Sequence, residues 1–478
     1  MENYFDFDNS YINLPNNLYS YQKPTKVKSP HMVIFNTQLA KKLALDYKNY
    51  SHKKWTKYLS GNELPEGSNP ISQGYAGHQY GNFTMLGDGR AILLGEHLTP
   101  TSKRYDIQLK GAGPTPYSRN GDGRGTLTSM LREYLISESM YALGIPTTRS
   151  LAVVSTGEYV KRNEDLKGGI LTRVSKGHIR IGTFQYAASQ GEKTLKALAD
   201  YTINRFYPTL NDAENKYLLL LKTVILKQSF LVAKWQSIGF LHGVLNTDNI
   251  SIVSETIDYG PCAFMNTYDP KTVFSSIDRF GRYAYENQPK IIKWNLTRFA
   301  ETLLPLFNAN KNESIKLAEE ALSNFNSSFK DAWQKLMRQK LGLFNRKPHD
   351  MKLINELLDL MKNNNLDYTN TFFELSNDEK KCSIEVLQPW FSEWSKRRQQ
   401  QSETWNDVKL VMKYHNPYII PRNYQVEKAL KATEKSDFEP FNNLLDALSQ
   451  PYGYNSQKKE YTQPPKPKEE IRETYCGT

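Results

Sequence analysis

Apolar positions change their spacing twice along this chain, and the changes mark its parts. Between about 71 and 190 they alternate or fall in short runs broken by glycine, as strands and tight turns require. YAGHQYGNFTMLGDGRAILLGE (75–96) reads as two apolar runs about a Gly-Asp-Gly-Arg turn, which predicts a hairpin turning at 87–90. Residues 105–110 alternate as a strand ending on Lys110, and a glycine-rich loop with Arg119, Asp122, Gly123 and Arg124 follows. A helix is predicted from near Thr126 to Gly144, with Leu127, Met130, Leu131, Tyr134, Leu135 and Met140 on its apolar face and Glu133 beside it. Residues 145–184 read as more strand, with Arg173 and Arg180 flanking a Lys-Gly-His turn on one edge of a hairpin. From 194 the period turns helical, and a long helix over 217–240 leads into FLHGVLNTDNISIVSETIDYGP (240–261). That stretch predicts a loop, a short strand at 250–253, a turn, a second short strand and then Asp-Tyr-Gly. Residues 290–410 place apolar side chains three and four apart and are mostly helical, and 411–450 add one more short helix. Residues 1–70 read as an N-terminal extension with a lysine-rich helix around 37–59, and the polar residues 451–478 as a flexible tail.

Composition narrows the class. A chain of 478 residues, 39% hydrophobic and 23% charged, is globular. A net charge of +12 favours an anionic partner. The basic residues are spread along the chain, and no RNA-recognition, zinc-finger or KH signature occurs, so nucleic acid is not expected. Cys262, Cys382 and Cys476 make neither a disulfide scaffold nor a zinc spacing. The first residues form no secretory signal, and the apolar run 217–241 is interrupted by Lys222, Lys227 and Lys234, so it is a buried helix and not a membrane span. A cytoplasmic monomer without membrane attachment is expected.

Candidate chemistry gathers in three places. Asp248, Asn249 and Asp258 offer oxygen ligands of the kind Mg²⁺ takes, and a hairpin between them would bring Asn249 and Asp258 together. Gly87 and Gly89 allow a ligand close to the backbone, although Asp-Gly is also a common hairpin turn. A strand lysine (Lys110) with a helix glutamate (Glu133) is how an ATP-dependent phosphotransferase holds its lysine against phosphates, and Arg173 and Arg180 suit phosphate oxygens. The loop after Lys110 is not a P-loop, because no Gly-Lys-Ser/Thr opens the next helix. Glycine turn, strand lysine, helix glutamate, long helix, His-containing loop with Asn249 and Asp-Tyr-Gly from Asp258 follow the order of a protein-kinase-like α+β fold. Its small lobe would span 71–190 and its large lobe, with helical additions, 191–450. Val244 occupies the position of the kinase catalytic aspartate and cannot accept a proton, which leaves Asp248 as the nearest base.

YAGHQYGNFTMLGDGRAILLGE, DIQLKGAGPTPYSRNGDGRGTLTSMLREYL, HGVLNTDN and DYGPCAF together resemble the selenoprotein O family of protein adenylyltransferases, over nearly the whole chain from about residue 13. The resemblance implies a pseudokinase that binds ATP in a flipped orientation. It transfers AMP, and UMP from UTP alongside, to Ser, Thr or Tyr hydroxyls of proteins with release of pyrophosphate. It implies nucleotide contacts at Gly87, Gly89, Arg90, Lys110, Asp122, Gly123, Arg173 and Arg180, and Glu133 as ion-pair partner of Lys110. Asp248 becomes the proton acceptor, and Asn249 and Asp258 the ligands of Mg²⁺ or Mn²⁺. Some relatives carry selenocysteine near the C-terminus where this chain has Cys476. Cys262 lies in the segment equivalent to an activation loop, and a reversible Cys262–Cys476 disulfide is expected to restrain it. A kinase-like phosphotransferase and a non-catalytic nucleotide-binding scaffold are the competing readings. Val244 disfavours the first, and the filled lysine and metal positions disfavour the second.

Overall fold

The computed structural model describes residues 4–48 and 51–474. Its strands are β1 (Tyr19–Tyr21), β2 (His31–Phe35), β3 (Ile71–Gln73), β4 (Ala76–Gln79), β5 (Asn82–Met85), β6 (Ala91–Leu98), β7 (Arg104–Lys110), β8 (Gly125–Thr126), β9 (Arg149–Lys161), β10 (Asp165–Ser175) and the short antiparallel pair β11 (Phe240–Leu241) and β12 (Ala263–Phe264). Among the described residues one eight-stranded sheet runs in the order β1-β3-β6-β7-β10-β9-β2, with β8 beside β10. Both of its faces are covered, which is why β6 and β9 read as continuous apolar runs. Leu93, Val153 and Leu171 point to one face, where they meet Leu131 and Leu135 of the helix that follows β8. Ile92, Leu94, Val154 and Ile170 point to the other, where they meet Leu39, Trp55 and Leu59 of the N-terminal helices.

Those helices are α1 (Thr37–Lys42) and α2 (His52–Leu59), two short elements where the sequence suggested one. The N-terminal segment is built into the sheet: β1 pairs with β3 and β2 with β9, and buried Glu96 accepts the amides of Ser10 (2.9 Å) and Tyr11 (2.6 Å). Helix α3 (Leu127–Ala142) starts where Thr126 caps the Ser129 amide. The helical part follows with α4 (Ile181–Ser189), α5 (Glu192–Phe206), α6 (Lys216–Ser237), α7 (Gln288–Phe307), α8 (Lys311–Lys340) and shorter helices between 350 and 448. The strands of the large sheet all precede residue 176 and most of the helices follow 181, an α+β architecture. None of the helices among the described residues is long and apolar enough to cross a membrane.

Four expectations are corrected. The hairpin is β4–β5, turning at Tyr80 and Gly81, both with positive φ (51° and 92°), and not at 87–90. Residues 87–90 instead carry buried Asp88 from that hairpin to β6, so Asp-Gly here is not a solvent turn. After Lys176 the chain does not return as a strand: Arg180 stands at the N-terminus of α4. Residues 250–257 form no hairpin either. Their backbone bonds outward, with Ile250 O accepting from Ile181 N, Ile252 N donating to Ile179 O and Thr256 N to Pro146 O, so distant partners replace a local one. The tail through 474, expected to be flexible, is docked. Thr462 O accepts from Arg422 Nη2 (3.1 Å) and Asn370 Nδ2 (3.2 Å), and Thr474 Oγ1 donates to Pro261 O (2.6 Å). A polar composition hid a segment whose anchors are hydrogen bonds.

One buried charge in the helical part sets a pH dependence. Lys340, at the end of α8, lies under the Phe372 ring (4.1 Å) with its Nζ 3.4 Å from His415 O, and burial pushes its amine down to about 7. The unfolded amine takes its proton near 10.5, so stability is lost as pH falls from there toward 7, below which the penalty is constant. Lys340→Met is therefore expected to stabilise the protein by roughly 2–4 kcal/mol at pH 7 and by little near pH 10. Urea denaturation at the two pH values checks this; equal effects would contradict it.

Candidate active site

The alternation of β7 puts Asp106, Gln108 and Lys110 on the α3 face of the sheet while Ile107 and Leu109 enter the opposite core. β10 pairs with β7 in a register that sets Arg173 opposite Gln108, and α3 brings Glu133 over this row. Lys110 Nζ then lies 2.5 Å from Glu133 Oε2 and 2.8 Å from Asp258 Oδ1. Arg173 Nη1 donates to the same Asp258 oxygen (2.7 Å) and to Glu133 Oε1 (3.3 Å), and its Nε and Nη2 donate to Gln108 Oε1. Arg180, entering from the start of α4, donates to Asp258 Oδ2 (3.1 Å) and Asp248 O (2.9 Å), with Nη2 3.6 Å from Asp88 Oδ1. Its guanidinium lies over the Tyr75 ring at 4.4 Å.

Three cations thus share one carboxylate. Burial alone would raise the Asp258 carboxyl, but Lys110, Arg173 and Arg180 outweigh it and hold the group well below the usual range. Asp258 also has φ +64°, a left-handed conformation uncommon outside glycine, and such strain concentrates at functional sites. The Asp88 carboxyl is shifted upward by burial, against Arg180 and Arg173, and its Oδ2 accepts from Gln108 Nε2 (3.0 Å).

Asp248 has the opposite environment to Asp258. It sits on the single turn Thr247–Asn249, and burial pushes its carboxyl up to about 6 against the opposing charge of Arg180. Its Oδ1 is buried with no hydrogen-bond partner among the described residues, an acceptor in want of a donor or cation. The β4–β5 hairpin covers it: His78 N donates to Thr247 Oγ1 (2.7 Å) and Tyr80 N to Asn246 Oδ1 (3.1 Å). A Cβ at Gly77 would stand 2.2 Å from Asp248 Oδ1 and 2.8 Å from Leu86 Cδ1. Gly77→Ala is expected to lift the hairpin from this turn, with a stability loss of about 1–3 kcal/mol and a larger proportional loss of activity. Thermal melts paired with rate measurements check it, and a fully active variant would contradict it.

Asn249 donates Nδ2 to Val244 O (3.0 Å), which leaves Oδ1 as its acceptor atom. His242 lies inside the same loop. Its amide bonds Gln288 Oε1 (2.9 Å) and its Nε2 pairs with Ile257 O (2.9 Å), tying the Asp248 turn to the residue before Asp258. Among the described residues no group of three or more His, Cys, Asp or Glu side chains is placed to hold a metal alone. An amide oxygen and a carboxylate, completed by phosphate oxygens and water, is nevertheless the donor set that a hard divalent ion takes.

Lys110, Glu133, Arg173, Arg180, Asp248 and Asp258 are brought together, with Asn249 beside Asp248. Gly87 and Gly89 pack on the loop after Lys110, where a Cβ would fall 2.3 Å from Tyr117 Cγ and 2.9 Å from Tyr117 O. Gly123 has φ +64° and no room for a Cβ against Gly113. Arg90 is half-buried at the edge of the cluster, with its carbonyl accepting from Gly111 N. Asp122 faces outward in an ion pair with Arg162 (2.8 Å) and is not joined to the cluster. Three residues were overlooked: Tyr75, Asp88 and Gln108. Gln108 was detectable, because a polar stripe of Asp106, Gln108 and Lys110 on a strand with apolar neighbours needs buried partners.

Comparison with known proteins identifies the family. The family model described as "Protein adenylyltransferase SelO" matches residues 3–449. A protein of Clostridium perfringens named protein nucleotidyltransferase YdiU is 52% identical over 99% of this chain and 98% of its own length. Proteins of the same name from Brevibacillus brevis (99% and 98% covered) and Anoxybacillus flavithermus (99% and 99% covered) are also 52% identical.

Proposed function

This chain belongs to the SelO family of protein adenylyltransferases, and on that premise we propose that it transfers AMP from ATP to hydroxyl side chains of proteins and releases pyrophosphate. The observation that carries the reading is the meeting at Arg180. Its guanidinium bonds Asp258 on one side and the backbone of Asp248 on the other, so a cluster of phosphate-binding cations adjoins a carboxylate with an unpartnered oxygen. Val244 makes phosphoryl transfer by the usual aspartate impossible, and Asp248 is the base that remains.

In this reading Lys110, Arg173 and Arg180 grip the phosphates and offset charge that develops on the leaving pyrophosphate. The acceptor oxygen bonds to the α-phosphorus, the bond from that phosphorus to the bridging oxygen breaks with its electron pair leaving on pyrophosphate, and Asp248 takes the hydroxyl proton. Asn249 and Asp258 would hold Mg²⁺ or Mn²⁺, which when bound neutralises phosphate charge. Glu133 positions Lys110, and Gly87, Gly89, Arg90 and Gly123 line the nucleotide's approach, while Asp122, turned outward to Arg162, takes no part in it. The architecture is then a kinase-like one, with the sheet part (71–190) as small lobe and 191–450 as large lobe, working as a monomer in the cytoplasm. UTP is a second donor in the same site. Intact-mass spectrometry of an acceptor protein incubated with ATP and Mg²⁺ or Mn²⁺ tests the reading. A mass gain of an adenylyl group is expected, and a gain of a phosphoryl group would overturn it.

The proposed Cys262–Cys476 disulfide has support from the docked tail. Cys262 is buried, and Thr474 is hydrogen-bonded to the carbonyl of its neighbour Pro261. Cys476 lies outside the described residues, two positions further on, a span of roughly 7 Å at full extension. Non-reducing peptide mapping of oxidised protein should yield the linked peptide, and its absence would dismiss the pairing.

A further inference from the structure

Next to the Asp248 turn stands a loop, residues 275–283, that holds its shape while leaving apolar side chains in water. Asp278 fixes it from within, accepting the amides of Arg282 (2.9 Å) and Tyr283 (2.7 Å), and Gly281 turns it with φ +67°. Tyr283 OH donates to Asn246 Oδ1 (2.5 Å), two residues before Asp248. On this fixed frame Phe280 is 98% exposed and Ile277 59%. A phenylalanine held fully in solvent by an internally bonded loop adds nothing to the fold and exposes apolar area, which marks an interaction site.

The β4–β5 hairpin faces this loop across Asn246. The Tyr80 and Tyr283 rings lie 5.3 Å apart, and Arg282 reaches within 4.0 Å of where a Gly81 Cβ would be. The hairpin also exposes Phe83 and Met85. The chain between 271 and 282 carries Lys271, Arg279 and Arg282. Arg279 and Arg282 form no ion pair with a carboxylate among the described residues, and Arg282 lies over the Trp294 ring at 4.9 Å and the Tyr283 ring at 5.7 Å. Asp278, the acid in this stretch, is spent on the two backbone amides.

We propose that loop 275–283 and the β4–β5 hairpin form the docking surface for the acceptor protein, and that the segment they take carries an apolar side chain and acidic residues near the modified hydroxyl. The inference rests on the transfer reading above. Aromatic anchors beside unpaired arginines are the composition of interface hot spots, and basic residues select acidic partners. Tyr80 of the hairpin and Tyr283 of the loop both bond Asn246 Oδ1, two residues before Asp248, so a segment seated on this surface lies beside the Asp248 turn.

The test uses the full chain and two fluorescein-labelled peptides. One holds a tyrosine flanked by leucine and glutamates, and the other has lysines in place of the glutamates. Anisotropy reads docking without chemistry. The acidic peptide is expected to bind about tenfold more tightly than its lysine twin, and Phe280→Ser and Arg279→Glu each to weaken it about tenfold. Arg279→Glu should improve the lysine peptide, and neither variant should change ATP affinity. Equal binding of the two peptides, or unaltered binding by both variants, overturns the proposal. If sedimentation shows that Phe280→Ser only dissolves a dimer while peptide binding is unchanged, the patch is a self-interface and the proposal falls. Transfer from α-labelled ATP to the same peptides is followed in parallel. Retained peptide preference without any transferred label counts against the transfer reading and leaves the docking surface standing.

Discussion

Asp258→Ala is expected to reduce transfer by roughly 10³-fold or more and to lower the melting temperature of the nucleotide-free protein. Both effects come from one carboxylate. Asp258 is the shared anion of Lys110, Arg173 and Arg180, and its removal leaves these buried cations with Glu133 and Asp88 as their ion-pair partners among the described residues. Breaking a buried ion cluster from one side costs about 3–5 kcal/mol, because the remaining charges keep their burial and lose their partner. The same geometry predicts a compensation. Freed from Asp258, the three cations have unsatisfied capacity for phosphate oxygens, so ATP without metal should raise the melting temperature of Asp258→Ala more than that of the unaltered protein. Thermal melts with and without ATP, beside a transfer assay, check all of this. Retained transfer would contradict the role of Asp258, and an unchanged melting temperature would contradict the electrostatics of the cluster.

Asp248→Asn should behave differently. The substitution keeps the shape and removes the base, and general-base catalysis contributes roughly 10²–10⁴-fold. A fall of that size in kcat is expected with nucleotide affinity nearly unchanged, since Arg180 reaches Asp248 through the backbone carbonyl and not the carboxylate. Stability should not fall, because Asp248 Oδ1 is already buried without a partner. A loss confined to nucleotide affinity would reassign Asp248 from proton acceptor to ligand.

The contrast between these two carboxylates shows what sequence reading reached and what it did not. Lys110 and Glu133 could be placed because each lies on a regular element whose period tells which way it points, and the sheet and α3 then fix their meeting. Asp248, Asn249 and Asp258 were found as a motif, but the geometry expected for them was wrong. No hairpin forms at 250–257, and the loop is held by Ile179, Ile181 and Pro146, contacts that no local pattern encodes. Asp88 was read as a turn residue because Asp-Gly is a frequent turn, and only the register of β7 shows Gln108 waiting for it. Asp122, by contrast, has the surroundings of a binding loop but points to Arg162. Residues 451–474 were read as loose from their polarity, and they are fastened by Arg422, Asn370 and Pro261, whose positions depend on the completed fold.

The most direct test follows two labels on one nucleotide. With ATP labelled separately at the α- and the γ-phosphate, an acceptor protein, and Mg²⁺ or Mn²⁺, the protein is predicted to retain the α-label and none of the γ-label, with the γ-label recovered in pyrophosphate. Retention of the γ-label alone would make this enzyme a phosphotransferase and contradict the account.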